Sequence, residues 1–452
     1  MTERRPSLGQ RDIVLYTVSA ILLLETLSAA AAIGAAAIFW WLFLGVTFLI
    51  PFALICAEMG CTYPQQGGIY AWIRDAFGGR WGARASWCYW INTAVWLPAI
   101  YILFAGILAQ LFIPGLSLAW QIAIGIGLTW ASMALNLVTL DIGKWVPNLG
   151  AAVKVAIFAV IIVAAAAHVQ SEGFANPINL DTLMPDWNSS LAFIPAIIYG
   201  MLGFELVSAS SEEVIDPGRD VPRGVMISAL LILLLYTLAT AAVLATIPAA
   251  EIDLVEGLIA TLERLFGDGP YGRTLVAVLG IGALYTFFAN GVTWAIGCNR
   301  AAAEAAREGE LPRWLGIESR KGMPMGAALV MGALSTLTLM LYGFLAGSGE
   351  ELFWSLFAFS AVIFLLPYLA LMLAFARSRT RDRERRRPFK LPGGDAVAQG
   401  SAALCFLTLG ASVVLFVYVP DEGVQHPVLW GALCTLAIGE LAIRSGERHL
   451  AE

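Results

Sequence analysis

The sequence predicts an all-α integral membrane protein with twelve transmembrane helices. Of its 452 residues, 59% are hydrophobic and only 13% are charged, whereas a soluble domain has about 25% charged residues. Apolar stretches long enough to cross a bilayer recur along the whole chain. The basic residues are sorted into alternate connections between these stretches, as expected for a multi-pass protein.

Each apolar stretch has roughly the 20 residues that a helix needs to cross the hydrocarbon. The twelve are 13–34, 38–62, 84–112, 117–138, 146–168, 191–211, 224–248, 270–298, 325–346, 352–376, 397–419 and 426–443. The first is too long for the core of a signal peptide, so we interpret it as helix 1. The connections leave no room for a soluble domain, so one domain is expected over 1–452.

The positions of Lys and Arg predict the orientation, because cytoplasmic loops carry an excess of positive residues. With a cytoplasmic N-terminus, 24 of the 27 basic residues fall in cytoplasmic segments. Arg264 and Arg273 fall outside, and Lys154 falls within the membrane. The densest run, "RSRTRDRERRRPFK" (377–390), is expected to anchor the topology by contacting anionic lipid. These features favour a multi-pass protein of the plasma (inner) membrane with both termini cytoplasmic.

Several classes of function have no support in the composition. The net charge is −6, and no basic stripe outside 377–390 predicts a nucleic-acid partner. The six Cys form no C-x-x-C pair, so neither a disulfide framework nor a metal site is predicted. The three His (His168, His426, His449) lie at or beyond helix ends. The protein is therefore not expected to be an enzyme, and no catalytic residue or cofactor is predicted.

Three ionisable residues lie deep in predicted spans. Glu25 interrupts "SAILLLETLSAAAAIG" (19–34) in helix 1, Lys154 lies in helix 5 and Glu205 lies in helix 6. A charged side chain at the bilayer centre costs about 3 kcal/mol on insertion scales, so such residues usually face a cavity. Their similar depth predicts one polar centre, although buried ions can also pair merely to stabilise packing. Four other acids lie nearer the helix ends, within reach of water or headgroups: Glu58, Glu212, Glu213 and Glu440.

Helix 6 carries glycines at mid-membrane. Gly200 and Gly203 directly precede Glu205. Transporters use helices broken at the midplane to offer backbone groups to a substrate. Glycines also allow close helix packing, so this signal alone is weak.

Three segments resemble signatures of the amino acid–polyamine–organocation (APC) transporters. "YGMLGFELVSASSEEVIDPGRDVPRG" (199–224) is similar to their helix 6, and "AEMGCTYPQQGGIYAWIRDAFGGRWG" (57–82) to their helix 2 end and first inner loop. "NRAAAEAAREGELPRWLG" (299–316) is similar to their helix 8 exit. The resemblance extends from about residue 10 to 440.

This resemblance implies a LeuT-like fold. Helices 1–5 (10–168) and helices 6–10 (190–377) would form two inverted repeats, followed by helices 11 and 12 (397–443). Helices 1 and 6 would be broken where substrate binds, and transport would occur by alternating access.

Helix 1 departs from the family pattern. The family break is glycine-rich and holds a substrate carboxylate, whereas "ILLLETLSA" (21–29) contains no glycine. Glu25 would repel a carboxylate by several kcal/mol at low effective dielectric and would attract an ammonium. Its position is similar to that of a Glu in polyamine uptake carriers. The departure leaves open whether helix 1 unwinds in the way that it does in the family.

Further matches concern the substrate and the coupling ion. Tyr199 and Trp294 match a gating aromatic and a substrate-stacking Trp of the arginine–agmatine exchangers, and Trp96 is a third candidate by position. A ring beside an ammonium contributes about 0.5–2 kcal/mol. Lys154 matches a helix 5 Lys that replaces sodium in proton-coupled members.

The resulting hypothesis is a proton-coupled or exchange carrier of organic amines such as putrescine. The expected substrate-binding residues are Glu25, Trp96, Tyr199, Gly203, Glu205 and Trp294. The expected proton-coupling residues are Lys154, Glu25 and Glu205. Membrane lipid and protons would be its other partners. A carrier of amino acids is the main alternative, and a non-transporting amine sensor on the same scaffold is a second one.

Overall fold

The computed structural model describes residues 7–138, 144–185, 191, 194–252, 257–267, 271–345, 347–419 and 423–451. These residues are predominantly α-helical, as the apolar stretches predict. One short antiparallel hairpin, β1 (Tyr418–Val419) with β2 (Gly423–Val424), precedes the last helix. We number the helices by the apolar stretches that predicted them.

Within the described part of the chain, nine helices are long and apolar enough to cross a membrane, judged by length and composition. Helix 9, Met325–Leu345, contributes a shorter apolar segment, Met325–Leu341. The nine spans are Ala36–Thr62 (helix 2), Gly79–Phe112 (helix 3), Leu118–Asn136 (helix 4), Trp145–Glu172 (helix 5), Pro217–Thr246 (helix 7), Gly272–Arg307 (helix 8), Leu356–Arg381 (helix 10), Gly394–Val417 (helix 11) and Val428–Glu447 (helix 12).

Several helices extend beyond their apolar cores. Helix 3 begins at Gly79 instead of residue 84, and helix 8 continues to Arg307. Helix 10 spans Gly349–Arg381, and helix 12 spans His426–Ala451. The extra turns carry polar residues, so a search for apolar stretches omits them. Polar residues form the backbone hydrogen bonds of a helix equally well.

Helices 1 and 6 are each divided into two parts. Helix 1 consists of Gln10–Ile21 and Leu24–Ala31. Helix 6 consists of Ile194–Tyr199 and the 3₁₀ helix Leu206–Glu213. The two breaks do not confirm the inverted repeat or the count of twelve helices. They do lie in the two helices that the resemblance implied to be broken.

Smaller helices connect the spans. The amphipathic helix Ile69–Phe77 joins helices 2 and 3, a feature that apolar counting does not predict. Short helices also cover Leu180–Leu183 and Gly257–Phe266. Ala249–Glu251 and Arg313–Gly316 form 3₁₀ turns.

Helix 1 lies at the centre of the bundle. Its first part packs against helices 5, 7 and 8, and its second part packs against helix 7 and the first part of helix 6. Helix 10 packs along helix 3 and also against helix 11. The two breaks are therefore enclosed by protein, which is the condition under which non-helical backbone is tolerated at membrane depth.

Candidate functional site

The break in helix 1 comprises two leucines in extended conformation. Leu22 has φ −74° and ψ 102°, and Leu23 has φ −109° and ψ 130°. Both dihedral pairs lie in the β region, which is open to any residue, so the break needs no glycine. Both side chains are buried. Helix 1 thus unwinds although its sequence lacks the glycine-rich pattern.

Hydrogen bonds from protein groups satisfy the amides of these two residues. The Leu22 amide donates to the Val18 carbonyl over 3.0 Å. The Leu23 amide donates to the Tyr236 hydroxyl over 2.7 Å, and that hydroxyl donates to the Ile21 carbonyl over 2.7 Å. Unpaired backbone groups cost several kcal/mol away from water, so these partners make the break possible.

The carbonyls just before the break receive donors from helices 5 and 8. The ammonium of Lys154, which is buried, donates to the Ser19 carbonyl over 2.7 Å. The Trp294 indole donates to the Ala20 carbonyl over 3.1 Å. The Asn290 amide faces both carbonyls and, with its nitrogen turned toward them, donates over 2.7 and 3.2 Å. Lys154 and Trp294 therefore both contact the broken helix, and their roles in coupling and substrate binding stay predictions.

Glycines in helix 6 allow the two broken helices to approach each other. A Cβ atom on Gly200 would lie 2.6 Å from the Thr26 side chain. Gly203 has φ +128°, a conformation that only glycine adopts without strain. A Cβ atom there would lie 3.0 Å from Ile21 and 3.1 Å from Trp294. The glycine requirement of this site thus falls on helix 6 rather than on helix 1.

Glu205 lies at the end of the helix 6 break and is only 1% exposed. The hydroxyls of Tyr89 and Tyr368 both donate to its Oε1 atom, each over 2.7 Å. Its Oε2 atom has no hydrogen-bond partner among the described residues. Sequence reasoning missed both tyrosines, because helices 3 and 10 are far from helix 6 along the chain.

The three predicted aromatic residues belong to one buried cluster. Phe364 lies at its centre, with ring centroids 4.9 Å from Tyr199 and 5.2 Å from Trp294. Trp96 contacts Trp294 edge to face over 6.4 Å. Tyr199 also contacts Phe357 over 5.0 Å. Phe364 had no signal of its own among the 23 phenylalanines of the sequence.

Glu25 lies in the first turn of Leu24–Ala31, directly after the break. Its side chain lies outside the part of the chain that the structure describes. The backbone position agrees with a role at the break, and the contacts of the carboxylate stay a prediction.

Among the described residues, Glu213 and Glu58 form buried ion pairs at the end of the bundle that carries most of the basic residues. Arg300 of helix 8 pairs with Glu213 at the end of helix 6. Ser7 and Leu8 both donate from their amides to the Glu213 carbonyl, over 2.9 and 2.8 Å. The segment that leads into helix 1, the end of helix 6 and helix 8 are thereby joined.

Glu58 is fully buried and accepts three hydrogen bonds. Arg379 and Arg387 donate to it over 2.6 and 2.8 Å, and the Leu391 amide donates over 2.7 Å. The expectation that Glu58 and Glu213 reach water or headgroups is wrong, because both are buried. The expected lipid contact of the run 377–390 is also wrong for Arg379 and Arg387, whose side chains are 1% and 5% exposed. Buried carboxylates need charged partners, and this loop supplies them.

The connecting helix Ile69–Phe77 is held at the same end. The Tyr70 hydroxyl donates to Glu310 over 2.7 Å, and Arg74 lies 3.2 Å from Glu308. Burial raises the pKa of the Glu310 carboxyl, against the opposing effects of Tyr70 and Arg74. Within the described ranges, no group of three or more His, Cys, Asp or Glu side chains could hold a metal ion.

Comparison with known proteins identifies one matching family model and several similar proteins. The family model described as amino acid permease matches residues 8–439. A probable agmatine/putrescine antiporter of Lactococcus lactis is 31% identical over 95% of this chain and 93% of its own length. A glutamate/gamma-aminobutyrate antiporter of the same species is 23% identical over 86% of this chain and 78% of its own. A polyamine transporter of rice is 25% identical over 82% of this chain and 66% of its own.

Proposed function

The chain belongs to the amino acid permease family of the APC superfamily, and on that basis we propose that it carries a cationic organic amine across the membrane by alternating access. Its relatives include proteins named as transporters of agmatine, putrescine and polyamines. The protein is a transporter and not an enzyme. A polyamine such as putrescine is the proposed substrate class.

The observation that carries this proposal is the environment of Glu205. A carboxylate oxygen that is buried and lacks a hydrogen-bond donor among the described residues attracts a proton or a substrate ammonium. This Oε2 atom of Glu205 lies at the helix 6 break. Tyr89, whose hydroxyl donates to the other carboxylate oxygen, contacts Trp294 with ring centroids 6.1 Å apart. Aromatic rings stabilise a desolvated ammonium, so the carboxylate and the rings both favour a cationic amine as ligand. Glu25, next to the helix 1 break, is proposed as the counter-ion of the amine.

We propose the complete LeuT-like architecture for this chain. One domain over 1–452 would contain twelve helices, with inverted repeats at 10–168 and 190–377 and two further helices at 397–443. Support comes from the breaks, which occur in the first helix of each proposed repeat.

Protons or a counter-substrate are the proposed driving partners. The ammonium of Lys154 already donates a hydrogen bond to the Ser19 carbonyl just before the break. A sodium ion beside it would be repelled by about 4 kcal/mol at a separation of 4 Å and an effective dielectric constant of 20. The proposed location is the plasma membrane with both termini cytoplasmic, with lipid around the bundle, in line with the sorting of the basic residues.

The second candidate is a carrier of amino acids. It is favoured by the likeness to a glutamate/gamma-aminobutyrate antiporter. Such a carrier would hold the substrate carboxylate with backbone amides of helix 6. An amine sensor is less favoured, because the named relatives of this chain are antiporters and transporters.

A competition series on purified protein in proteoliposomes distinguishes the two carriers. Putrescine, agmatine and cadaverine would each be compared with ornithine, arginine and lysine, the amino acid that carries the extra α-carboxylate. Each amine should inhibit uptake of labelled putrescine or agmatine far better than its amino acid, because Glu25 and Glu205 repel a carboxylate. Equal inhibition within each pair would refute the amine proposal in favour of the amino-acid carrier.

Ligand binding can be checked without transport. A ligand present at 100 times its dissociation constant should stabilise the protein by about 2.7 kcal/mol. Thermal unfolding with the same six compounds should therefore rank them in the same order.

A further inference from the structure

We propose that a cavity between helices 3, 10 and 12 binds an anionic phospholipid of the membrane. The cavity lies at the end of the bundle that carries most of the basic residues and opens on the outer surface of the bundle. The inference therefore does not depend on which substrate the two breaks bind.

The cavity is a cleft between three packed helices. Its volume of about 500 Å³ lies within the range of about 300–1,000 Å³ that is typical of ligand sites. Helix 12 packs against both helix 3 and helix 10, and the Trp87 indole of helix 3 donates to the Thr435 carbonyl of helix 12 over 3.1 Å. Trp81 and Leu373, which line the cavity, are 51% and 49% exposed. The cleft is therefore open on the side that faces lipid.

Most of the cavity wall suits a hydrocarbon chain. Helix 10 contributes apolar side chains, among them Leu366, Pro367 and Ala370. Among the described lining residues, the charged ones are Arg84 and Glu440, which form an ion pair with each other. All three helices are long and apolar enough to cross the membrane, so the surrounding bilayer supplies acyl chains that can fill the cleft.

The cavity runs from the basic end of the bundle toward the membrane centre. Helix 3 begins at Gly79, so Trp81 lies near the basic end and Cys88 lies deeper. Helix 10 runs the opposite way and ends at Arg381, so Leu373 lies near the basic end and Leu366 lies deeper. An acyl chain in the cleft would therefore point inward and its headgroup would lie at the basic end.

Two exposed arginines lie just beyond the cavity at its basic end. Arg377 follows Leu373 by four residues on helix 10, and Arg444 follows Glu440 by four residues on helix 12. Residues four apart lie on the same face of a helix, so both arginines are placed at the mouth of the cavity. The Arg377 guanidinium lies 5.4 Å from the ring centroid of Phe77, just before helix 3. Neither arginine forms an ion pair among the described residues.

The other charges at the mouth cancel each other. Arg84 pairs with Glu440, and Arg80 lies 3.1 Å from Glu447. The Arg84 guanidinium also lies 4.8 Å from the ring centroid of Trp81. The Trp81 indole has no hydrogen-bond partner within the described ranges, so its N–H is available to a headgroup oxygen. The two unpaired arginines thus give the mouth a net positive charge.

This charge favours an anionic headgroup. Basic residues near a membrane surface attract anionic lipid, and a guanidinium donates charge-assisted hydrogen bonds to a phosphate. Phosphatidylcholine carries a quaternary ammonium of its own, which unpaired arginines repel. A lipid with a net negative headgroup, such as phosphatidylglycerol, therefore matches both the apolar wall and the basic mouth.

The test uses the full chain in phosphatidylcholine vesicles that contain a minor fraction of lipid with brominated acyl chains. Bromine quenches tryptophan fluorescence at contact, and the difference between each protein and its Trp81→Phe form isolates the signal of Trp81. At the same fraction, brominated phosphatidylglycerol should quench Trp81 at least tenfold more effectively than brominated phosphatidylcholine.

Two variants test the two parts of the site. Arg377→Gln combined with Arg444→Gln should reduce the preference for phosphatidylglycerol at least fivefold. Arg219→Gln combined with Arg320→Gln is the matched control, because it removes two exposed arginines outside the cavity, and it should keep the preference. Ala370→Phe should fill the cleft and reduce quenching by both lipids while the arginines remain.

Three results would overturn the proposal. Equal quenching by the two lipids would show that the cleft takes bulk lipid without regard to charge. Absence of quenching by either would show that lipid does not fill the cleft, as expected if a second copy of the chain covered it. A preference that survives the loss of Arg377 and Arg444, or that falls equally in the control, would exclude a site at these residues. If Ala370→Phe does not fold, the arginine variants still decide, because both side chains are exposed.

Discussion

The ammonium of Lys154 and the carbonyl of Ser19 are joined by a 2.7 Å hydrogen bond between helix 5 and the broken helix 1. A fixed positive charge thus lies at the last helical turn before the break. The resemblance to the family matched the position of Lys154 but did not predict its hydrogen bond to Ser19. Its geometry leads directly to the first prediction.

Amine uptake should be independent of sodium. Replacing sodium by choline or potassium in proteoliposomes should change the initial rate less than twofold, because the Lys154 ammonium repels a second cation at the break. Uptake should instead respond to an imposed pH gradient or to counter-substrate inside the vesicles. A steep dependence of the rate on sodium concentration would contradict this prediction.

Glu25→Gln should abolish amine binding while the protein still folds. Removing one charge of a desolvated pair costs about 2–5 kcal/mol, or roughly a 30- to 5,000-fold loss of affinity. Binding would be measured by thermal shift with agmatine and putrescine. Glu251→Gln is the control, since Glu251 is exposed, and it should bind amines as wild type does. Unchanged amine affinity in Glu25→Gln would rule out the counter-ion role.

Glu205→Gln should uncouple uptake from protons. The amide oxygen can still accept from Tyr89 and Tyr368, so the local hydrogen bonds survive, but the side chain can no longer take up a proton. Uptake driven by a pH gradient should fall at least tenfold, whereas exchange of amine for amine should continue. The measurement is the rate of each reaction in the same proteoliposome preparation. Normal gradient-driven uptake by the variant would exclude Glu205 from coupling.

Glu58→Gln should destabilise the protein by about 3–5 kcal/mol, the usual cost of removing one partner of a buried ion pair. Arg379 and Arg387 would keep their buried charges without a carboxylate between them. Thermal unfolding in detergent would report the loss. Glu384→Gln, an exposed acid in the same basic run, should unfold like wild type. Equal midpoints for both variants would show that the buried pairs add no stability.

Much of the bundle was predictable because crossing a bilayer imposes a length and a polarity on each segment. The predicted spans match described helices to within a few residues at many ends. The start of helix 3 and the last turns of helices 8 and 10 were missed because these turns carry charged residues. The connecting helix Ile69–Phe77 was missed because it is amphipathic and too short to cross.

The functional site was predictable only in part. Glu205, Lys154 and Trp294 have a signal of their own, since charges are rare in apolar helices and the motifs around them are distinctive. Tyr89 and Tyr368 have none, because a tyrosine in an apolar helix is ordinary until its hydroxyl meets a carboxylate. Partners from distant helices are set by packing, which local patterns do not encode.

The sequence by itself determined the membrane class and the family, because hydrophobicity and motif spacing are properties of the linear chain. The tertiary structure alone decided whether helix 1 breaks. Its leucines favour a continuous helix locally, and no residue in the stretch requires a turn. The break exists because Tyr236, Lys154 and Trp294 reach it from helices 7, 5 and 8 and supply hydrogen bonds to its free backbone groups.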